Sequence, residues 1–324
     1  MIVVLLRLLD LIRRLSCNRF IVVKNLELKW DVLYYLEMAI SDSQNFINNR
    51  KLVEILTNLI SKDRANIVLE IGPGKGIITK ELLKEYKNII AIEIDRKLSA
   101  NLKEKFKNDR KVCIVTENFL EYKTPKVEFD VFANIPFNIT ADIIKKITSE
   151  NSNLHKAYLV VQKESAEKIV GSSLVGFSLL SNLIKVRFNT KILRNINRFN
   201  FSPRPKVDAS FLYIGKRRSK IFRTIDEENL FKDFITYVYN RPSPFLADAL
   251  KSIFSNKQID IAFKNKNIPS TIKVKQAEFF IWIYLFNIFL SQTPERMKLK
   301  VIDKYKDLIK GQSLLKKINR TRKY

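Results

Sequence analysis

The sequence predicts an α/β fold, a Rossmann-like open sheet flanked by helices, with a small helical domain after it. Short β-branched and aliphatic runs alternate regularly with helical periodicities through much of the 324 residues. A glycine-rich turn directly follows the first such run, and beyond Arg223 the pattern is helical only. The length suits one medium domain plus a small one, with a core that needs no staple.

Residues 1–42 form an N-terminal extension that opens on an apolar run broken by Arg7 and Asp10, then by Arg13 and Arg14. The uninterrupted stretch is too short to span a membrane and has no small-residue cleavage site, which argues against a secretory signal. An organelle presequence and a translation start nearer Met38 are the other readings. The α/β domain is expected over 43–220. Arg50 to Ser61 reads as an amphipathic helix. Strands follow near 66–71, 88–94, 111–116, 130–134 and 157–162, each with a helical pattern after it, the first of these running from Ile77 to Tyr86. Two later strands, Arg187 to Ile192 and Ser210 to Ile214, lie on either side of the Pro203/Pro205 loop and are expected to add an antiparallel hairpin edge. The helical domain, 221–290, holds Phe231 to Tyr239, Pro244 to Phe254, Gln258 to Lys264 and Val274 to Leu290. Its apolar run Phe279 to Leu290 is too short for a membrane span and reads as a buried helix. Residues 291–324 form a basic tail, with apolar residues at helical spacing through Ile309. There is no internal repeat.

The chemistry concentrates at two strand ends. Leu69-Glu70-Ile71-Gly72-Pro73-Gly74-Lys75-Gly76 is a buried strand running into a turn where glycines let the backbone approach a ligand with no Cβ in the way. Glu93, ending the next strand, sits where a carboxylate accepts both hydroxyl protons of a ribose. A dinucleotide site prefers G-x-G-x-x-G, but the third glycine position is Ile77; the G-x-G-x-G spacing matches S-adenosylmethionine-dependent methyltransferases. The second strand end is Asp130-Val131-Phe132-Ala133-Asn134-Ile135-Pro136-Phe137-Asn138. An adenine amine is a poor nucleophile because its lone pair is delocalised into the ring. The Asn134 side-chain oxygen and the carbonyl of Ile135 or Pro136 can each accept one of its N–H groups, biasing the nitrogen towards a tetrahedral lone pair. Pro136 stiffens the loop and Phe137 offers a face for an extruded base. Taken alone, the segment also fits an Asx turn with Phe137 in the core; the glycine loop beside it favours the pocket.

Ser43-Gln44-Asn45-Phe46-Ile47, the glycine loop, Ala91-Ile92-Glu93-Ile94-Asp95, Asn134-Ile135-Pro136-Phe137 and Phe201-Ser202-Pro203-Arg204-Pro205-Lys206-Val207 occur in that order. Together, over roughly residues 43 to 290, they resemble the ribosomal RNA adenine N6-dimethyltransferases, which include the erythromycin-resistance (Erm) and the kasugamycin-sensitivity enzymes. Ala249-Leu250-Lys251-Ser252-Ile253-Phe254 looks more like the Erm branch, and the Arg-Arg-Lys-Thr-Leu-Arg-Asn-like segment of the small-subunit branch is missing. The resemblance implies a class I methyltransferase fold, S-adenosylmethionine as cofactor and methylation of an adenine in 23S rRNA that protects against macrolide-type antibiotics. The same chemistry on 16S rRNA, a step in ribosome maturation, and a non-catalytic RNA-binding relative are the alternatives. It also implies a cofactor site lined by Asn45, Ile47, Gly72, Gly74, Glu93, Asn118 and Asn134, and a target pocket of Asn134, Pro136 and Phe137. One position departs: where the family carries Asp to accept the cofactor adenine amine, Thr116-Glu117-Asn118-Phe119 offers Asn118, whose oxygen can accept that bond without a charge.

Composition fits a polyanion partner, with 59 Lys and Arg against 33 Asp and Glu, a formal charge of +26. Basic residues from Lys185 to Arg223, including Arg194, Arg198, Arg204 and Lys206, interleave with Phe188, Phe199, Phe201 and Phe211; a solvated basic surface over core aromatics is the plain alternative. The basic tail reads as an RNA-gripping helix or a solvated end. Cys17 and Cys113 are too few for a disulfide framework, which points to a reducing cytoplasm. His155, the single histidine, is expected in a helix-to-strand loop; with no Cys/His cluster, neither a zinc site nor a Ser-His-Asp triad is expected. A monomer that needs no membrane partner is expected.

Overall fold

Each strand expected of the α/β domain forms, and the register between strands decides what they bring together. The computed structural model describes residues 45–172 and 175–314, which belong to one structural unit beginning at Asn45. The expectations for 1–42, for Ser43 and Gln44, and for 315–324 lie outside the described residues.

The chain runs β1 (Phe46–Ile47), α1 (Arg50–Asn58), β2 (Ile67–Ile71), α2 (Ile77–Glu85), β3 (Asn88–Glu93), α3 (Arg96–Lys105), β4 (Val112–Thr116), β5 (Phe129–Asn134) and α4 (Thr140–Ile147). There follow β6 (Leu154–Gln162), α5 (Lys163–Val170), α6 (Leu179–Arg187), β7 (Phe188–Ile196), β8 (Phe201–Ser202) and β9 (Ala209–Lys216). Seven strands make one sheet in the order β4-β3-β2-β5-β6-β9-β7. β2 to β6 are parallel, while β9 pairs antiparallel with both β6 and β7, the expected hairpin edge. β1 and β8 form a separate antiparallel pair.

The central strands are apolar on both faces because both are covered. Along β6, Ala157, Leu159 and Val161 pack into one core and Tyr158 and Val160 into the other, with Leu69 and Ile71 against Val68 in β2 doing the same. That is why these strands read as continuous apolar runs rather than alternating ones.

From β2 the chain moves outward to β3 and β4 and then returns to the other side of β2 as β5, so the order reverses between β2 and β5. In open α/β sheets the crevice at the carboxyl ends of such a pair holds ligands. Ile71 lies opposite both Ile92 and Ala133, and Glu93 lies opposite Thr116. Gly72, Glu93, Asn134 and the chain leading from Thr116 to Asn118 therefore emerge along one edge.

Beyond the sheet the helices are α7 (Ile225–Tyr239), α8 (Leu246–Leu250), α9 (Asn256–Asn265), α10 (Phe279–Gln292), α11 (Glu295–Lys298) and α12 (Lys304–Leu314). They enclose a third core in which Phe231, Phe234, Trp282, Phe286 and Phe289 are all fully buried. The Trp282 indole N–H is satisfied by the Ala277 carbonyl at 3.1 Å. The helix expected after the strand at 111–116 does not form, that link to β5 being turns, and three other expected helices differ in detail. The one over Pro244 to Phe254 is helical only from Leu246 to Leu250, and the one from Val274 begins at Phe279 because Ala277 and Glu278 are extended. The tail breaks into α11 and α12 at Asp303, which has φ +63°, and Asp233 of α7 accepts the backbone N–H groups of Asp303 and Tyr305. Among the described residues no helix is long and apolar enough to cross a membrane.

His155 is not in a loop: it lies in β6. The strand starts early because Asp130, completely buried at the start of β5, needs donors there. It accepts from Tyr86 Oη at 2.8 Å and from the backbone N–H groups of Ala65 and Lys156 at 3.1 Å, and it faces His155 Nδ1 at 3.1 Å. Burial raises the Asp130 pKa, and this network holds the amino ends of the strands, away from the crevice.

Candidate functional site

The glycine loop forms the floor of the crevice. Gly72 has φ +66°, and a Cβ built on it would meet nothing within 4 Å, so its surface is open to a ligand. Gly74, at φ +57°, is required for a different reason: a Cβ there would sit 2.5 Å from the Phe46 ring. α2 then starts at Gly76 with no side-chain cap, leaving its first N–H groups for whatever lies above the loop.

Two carboxylates adjoin this loop. Glu93, only 2 % exposed, accepts the Gly74 N–H through Oε2 and the Asp95 N–H through Oε1, both at 3.0 Å. Burial pushes its pKa up while those backbone bonds act in the opposite sense. Each oxygen keeps a further lone pair, so the residue fixes the glycine loop and still has acceptors for hydroxyl donors. Glu70 lies in β2, 1 % exposed; neither oxygen makes a well-formed hydrogen bond among the described residues, and Thr79 of α2 is the donor that bears on it. Burial pushes its pKa up to about 8, and the Glu93 charge adds to the rise. Glu70 lies within the glycine-loop motif but has no role in it that the motif itself implies. A carboxylate in the middle of a buried apolar strand was the available signal.

Asn118 stands at the far side of the crevice. Its Oδ1 accepts the Leu120 N–H at 3.0 Å, and its Nδ2 donates to Glu121 at 3.3 Å, a local turn that leaves one lone pair on the oxygen. Lys146 of α4 holds the same loop, donating to the carbonyls of Leu120 at 2.9 Å and Tyr122 at 2.6 Å.

On the other side, Asn134 ends β5. Its Nδ2 donates to the Asn45 carbonyl at 2.7 Å, which fixes the amide and leaves Oδ1 as an acceptor. The chain then turns through a short 3₁₀ segment, Phe137–Ile139, in which the Pro136 carbonyl accepts the Ile139 N–H at 3.2 Å and the Thr140 hydroxyl at 3.4 Å. The Ile135 N–H is bound by the Val160 carbonyl at 3.0 Å, whereas the Ile135 carbonyl accepts no hydrogen bond among the described residues. Of the two carbonyls left open by the sequence, Ile135 therefore keeps its acceptor capacity. Phe137 is half-buried.

A clasp joins these parts. β1 pairs with β8, Ile47 opposite Phe201, and Asn200 binds the Asn48 N–H at 3.1 Å through its carbonyl and the Asn49 side chain at 2.8 Å. Asn45 thus contributes a backbone carbonyl, and Phe46 covers Gly74 with Lys75 Nζ 5.7 Å from its ring. Ile47 is 4 % exposed, its side chain packed in the core with Leu52 and Val68, while Phe46 lies beside the loop. A two-residue strand carries too little periodicity to be read from sequence.

Comparison with known proteins agrees with this geometry. The family model for ribosomal RNA adenine dimethylase matches residues 36–289. A ribosomal RNA small subunit methyltransferase A from Mycoplasma mobile is 32% identical over 248 residues, covering 75% of this chain and 94% of its own. An rRNA adenine N-6-methyltransferase from Lysinibacillus sphaericus is 30% identical over 254 residues, 78% of this chain and 97% of its own. Among solved structures, the 23S rRNA methyltransferase ErmE superposes with a TM-score of 0.71 at 23% identity, over 76% of this chain and 100% of that one. A dimethyladenosine transferase from Plasmodium falciparum gives 0.61 at 21% identity, over 75% and 98%. At those identities the likeness is one of fold.

Proposed function

Because the chain belongs to the ribosomal RNA adenine dimethylase family, an S-adenosylmethionine-dependent methyltransferase family, we propose that it methylates N6 of an adenine in 23S rRNA, once or twice, and thereby confers macrolide-type resistance. The observation that carries the chemistry is Asn134, locked by the Asn45 carbonyl with Oδ1 left as acceptor beside the unengaged Ile135 carbonyl.

The crevice fits the cofactor on its own evidence: an open Gly72, an uncapped helix start at Gly76 and a carboxylate at the end of β3. Gly72 and Gly74 would line the methionine part, Glu93 would accept from the ribose hydroxyls, and Asn118 would accept from the adenine amine. Bound there, S-adenosylmethionine supplies an electrophilic methyl group. The chain's own residues prepare the acceptor. Asn134 Oδ1 and the Ile135 carbonyl each accept a hydrogen bond from one N–H of the target amine, drawing the nitrogen out of conjugation, and Phe137 stacks on the extruded base. Both acceptors gain strength as the amine becomes tetrahedral, so they favour the transition state over the ground state. No general base is needed, since the nitrogen becomes acidic only after transfer.

The 23S assignment rests on the Erm-like segment Ala249 to Phe254. Four of its residues, Ala249, Leu250, Ile253 and Phe254, are buried, so the signal speaks for packing of the helical domain more than for RNA contact. A second reading, 16S rRNA, is favoured by the name of the Mycoplasma mobile relative. Methyl transfer from labelled S-adenosylmethionine to separate large-subunit and small-subunit rRNA decides between them. Label in the large-subunit RNA alone is expected. Label only in the small-subunit RNA keeps the chemistry and removes the resistance role. No label in either RNA, with cofactor and RNA both bound, makes the chain an RNA-binding protein.

A further inference from the structure

Four aromatic residues interleave with the basic residues after α6, and the structure treats one differently. Phe188, Phe201 and Phe211 are 4, 3 and 0 % exposed, whereas Phe199 is 60 % exposed. A single exposed phenylalanine is ordinary on a protein surface. This one has a built seat. Asn197 accepts the Phe199 N–H at 3.0 Å, Asp208 accepts the Arg198 N–H at 3.0 Å, and the Arg198 guanidinium donates to the Lys206 carbonyl at 2.9 Å. The next residue, Asn200, is bonded to Asn48 and Asn49 in the clasp that also positions Asn134. The Arg204 guanidinium lies 4.3 Å from the Phe199 ring centroid and that of Arg198 lies 5.8 Å away.

Resting on the rRNA methylation reading, we propose that Phe199 is a stacking platform for a nucleotide flanking the target adenine. The chemistry matches a single-stranded RNA. The ring offers a π-face to any base, and the two guanidiniums supply cation–π contact and bidentate recognition of the adjoining phosphates. The loop between β7 and β9 lies at the same sheet edge as Asn134, since Ala209 pairs with both Gln162 and Ile196. A target base extruded into the Phe137 pocket leaves its neighbour unstacked, and a rigid aromatic at the rim replaces the lost partner.

The test is equilibrium binding of a fluorescein-labelled twelve-nucleotide single-stranded RNA to the full chain and to Phe199→Ala, Phe199→Leu and Phe199→Trp. Stacking on a protein aromatic predicts a loss of roughly five- to a hundredfold for Phe199→Ala, about the same for Phe199→Leu, and near-parent affinity for Phe199→Trp. The salt slope of binding should stay at the parent value, because stacking releases no counterions, whereas Arg204→Gln should flatten it. Affinity for S-adenosylmethionine should be unchanged throughout, which shows the variants are folded. Parent-like binding by Phe199→Ala or Phe199→Leu, in a protein that still methylates rRNA, overturns the platform alone. A parent that binds no RNA overturns both the platform and the methylation reading.

Discussion

Glu70→Gln should make this protein more stable at alkaline pH, and the size of the effect follows from the surroundings of the carboxylate. Glu70 is 1 % exposed and held by burial at a pKa of about 8 against an ordinary 4.5, with Thr79 acting in the opposite sense. Between those values the folded chain keeps a proton that the unfolded chain has lost. Stability is therefore fully present below about pH 4.5 and falls as pH rises, until both states are ionised above about 8. At roughly 1.4 kcal/mol per pH unit the whole window is worth a ceiling of roughly 5 kcal/mol, which water entry at the opened crevice would reduce. Glutamine has nearly the same shape and never ionises. Denaturant unfolding of both proteins at pH 5 and pH 9 should show the variant gaining about 2–4 kcal/mol on the parent between the two. Asp130, whose pKa is also raised by burial, contributes equally to both proteins and cancels, whereas Glu93 repels an ionised Glu70 in the parent alone, which acts in the same direction. Equal pH dependence of parent and variant would show that Glu70 is ionised in the folded chain, its charge then compensated by Thr79 and the Lys105 ammonium.

Three further outcomes are expected. Glu93→Ala should weaken S-adenosylmethionine binding by about 1.5–3 kcal/mol, the range for hydrogen bonds to a charged group, and calorimetry showing unchanged affinity would take Glu93 out of the site. Asn118→Asp keeps the acceptor for the Leu120 N–H and adds a charge for the cofactor amine, so binding should tighten by up to about 1 kcal/mol or stay level, with Glu121 nearby trimming the gain; a loss above about tenfold (roughly 1.4 kcal/mol) would place the adenine elsewhere. Asn134→Ala should lower the single-turnover methylation rate by on the order of a hundredfold or more, about 3 kcal/mol, with the dissociation constants for RNA and cofactor within a few-fold of the parent. A loss confined to binding would make Asn134 a docking residue only.

The strands and the glycine loop were legible because their signals are local. Residues 67–71, 88–93 and 129–134 carry apolar runs bounded by turn residues, and Gly72 and Gly74 sit where positive φ and close packing leave few alternatives. Glu93 and Asn134 are singled out by their position at strand ends, and the strand order brings them together: parallel strands in register send all their carboxyl ends to one edge. His155 was misplaced because its strand is extended by Asp130, a partner 25 residues away that no periodicity reveals.

The same limit, distance along the chain, explains what else was hidden at the site. Asn45 and Asn134 are 89 residues apart, and Asn49 and Asn200 are 151 apart, yet each pair shares a hydrogen bond of 2.7 or 2.8 Å. Sequence places an asparagine at the end of β5 but cannot say which of its amide atoms is spent on the protein and which is left for a substrate. The clasp of β1 on β8 decides it, by setting a backbone carbonyl against Nδ2. A residue that acts through the orientation of its amide thus depends on a two-residue strand too short for periodicity to reveal. Loosening that strand should therefore resemble loss of Asn134 more than loss of the glycine loop, because Gly72 and Glu93 are held by β2 and β3 without it.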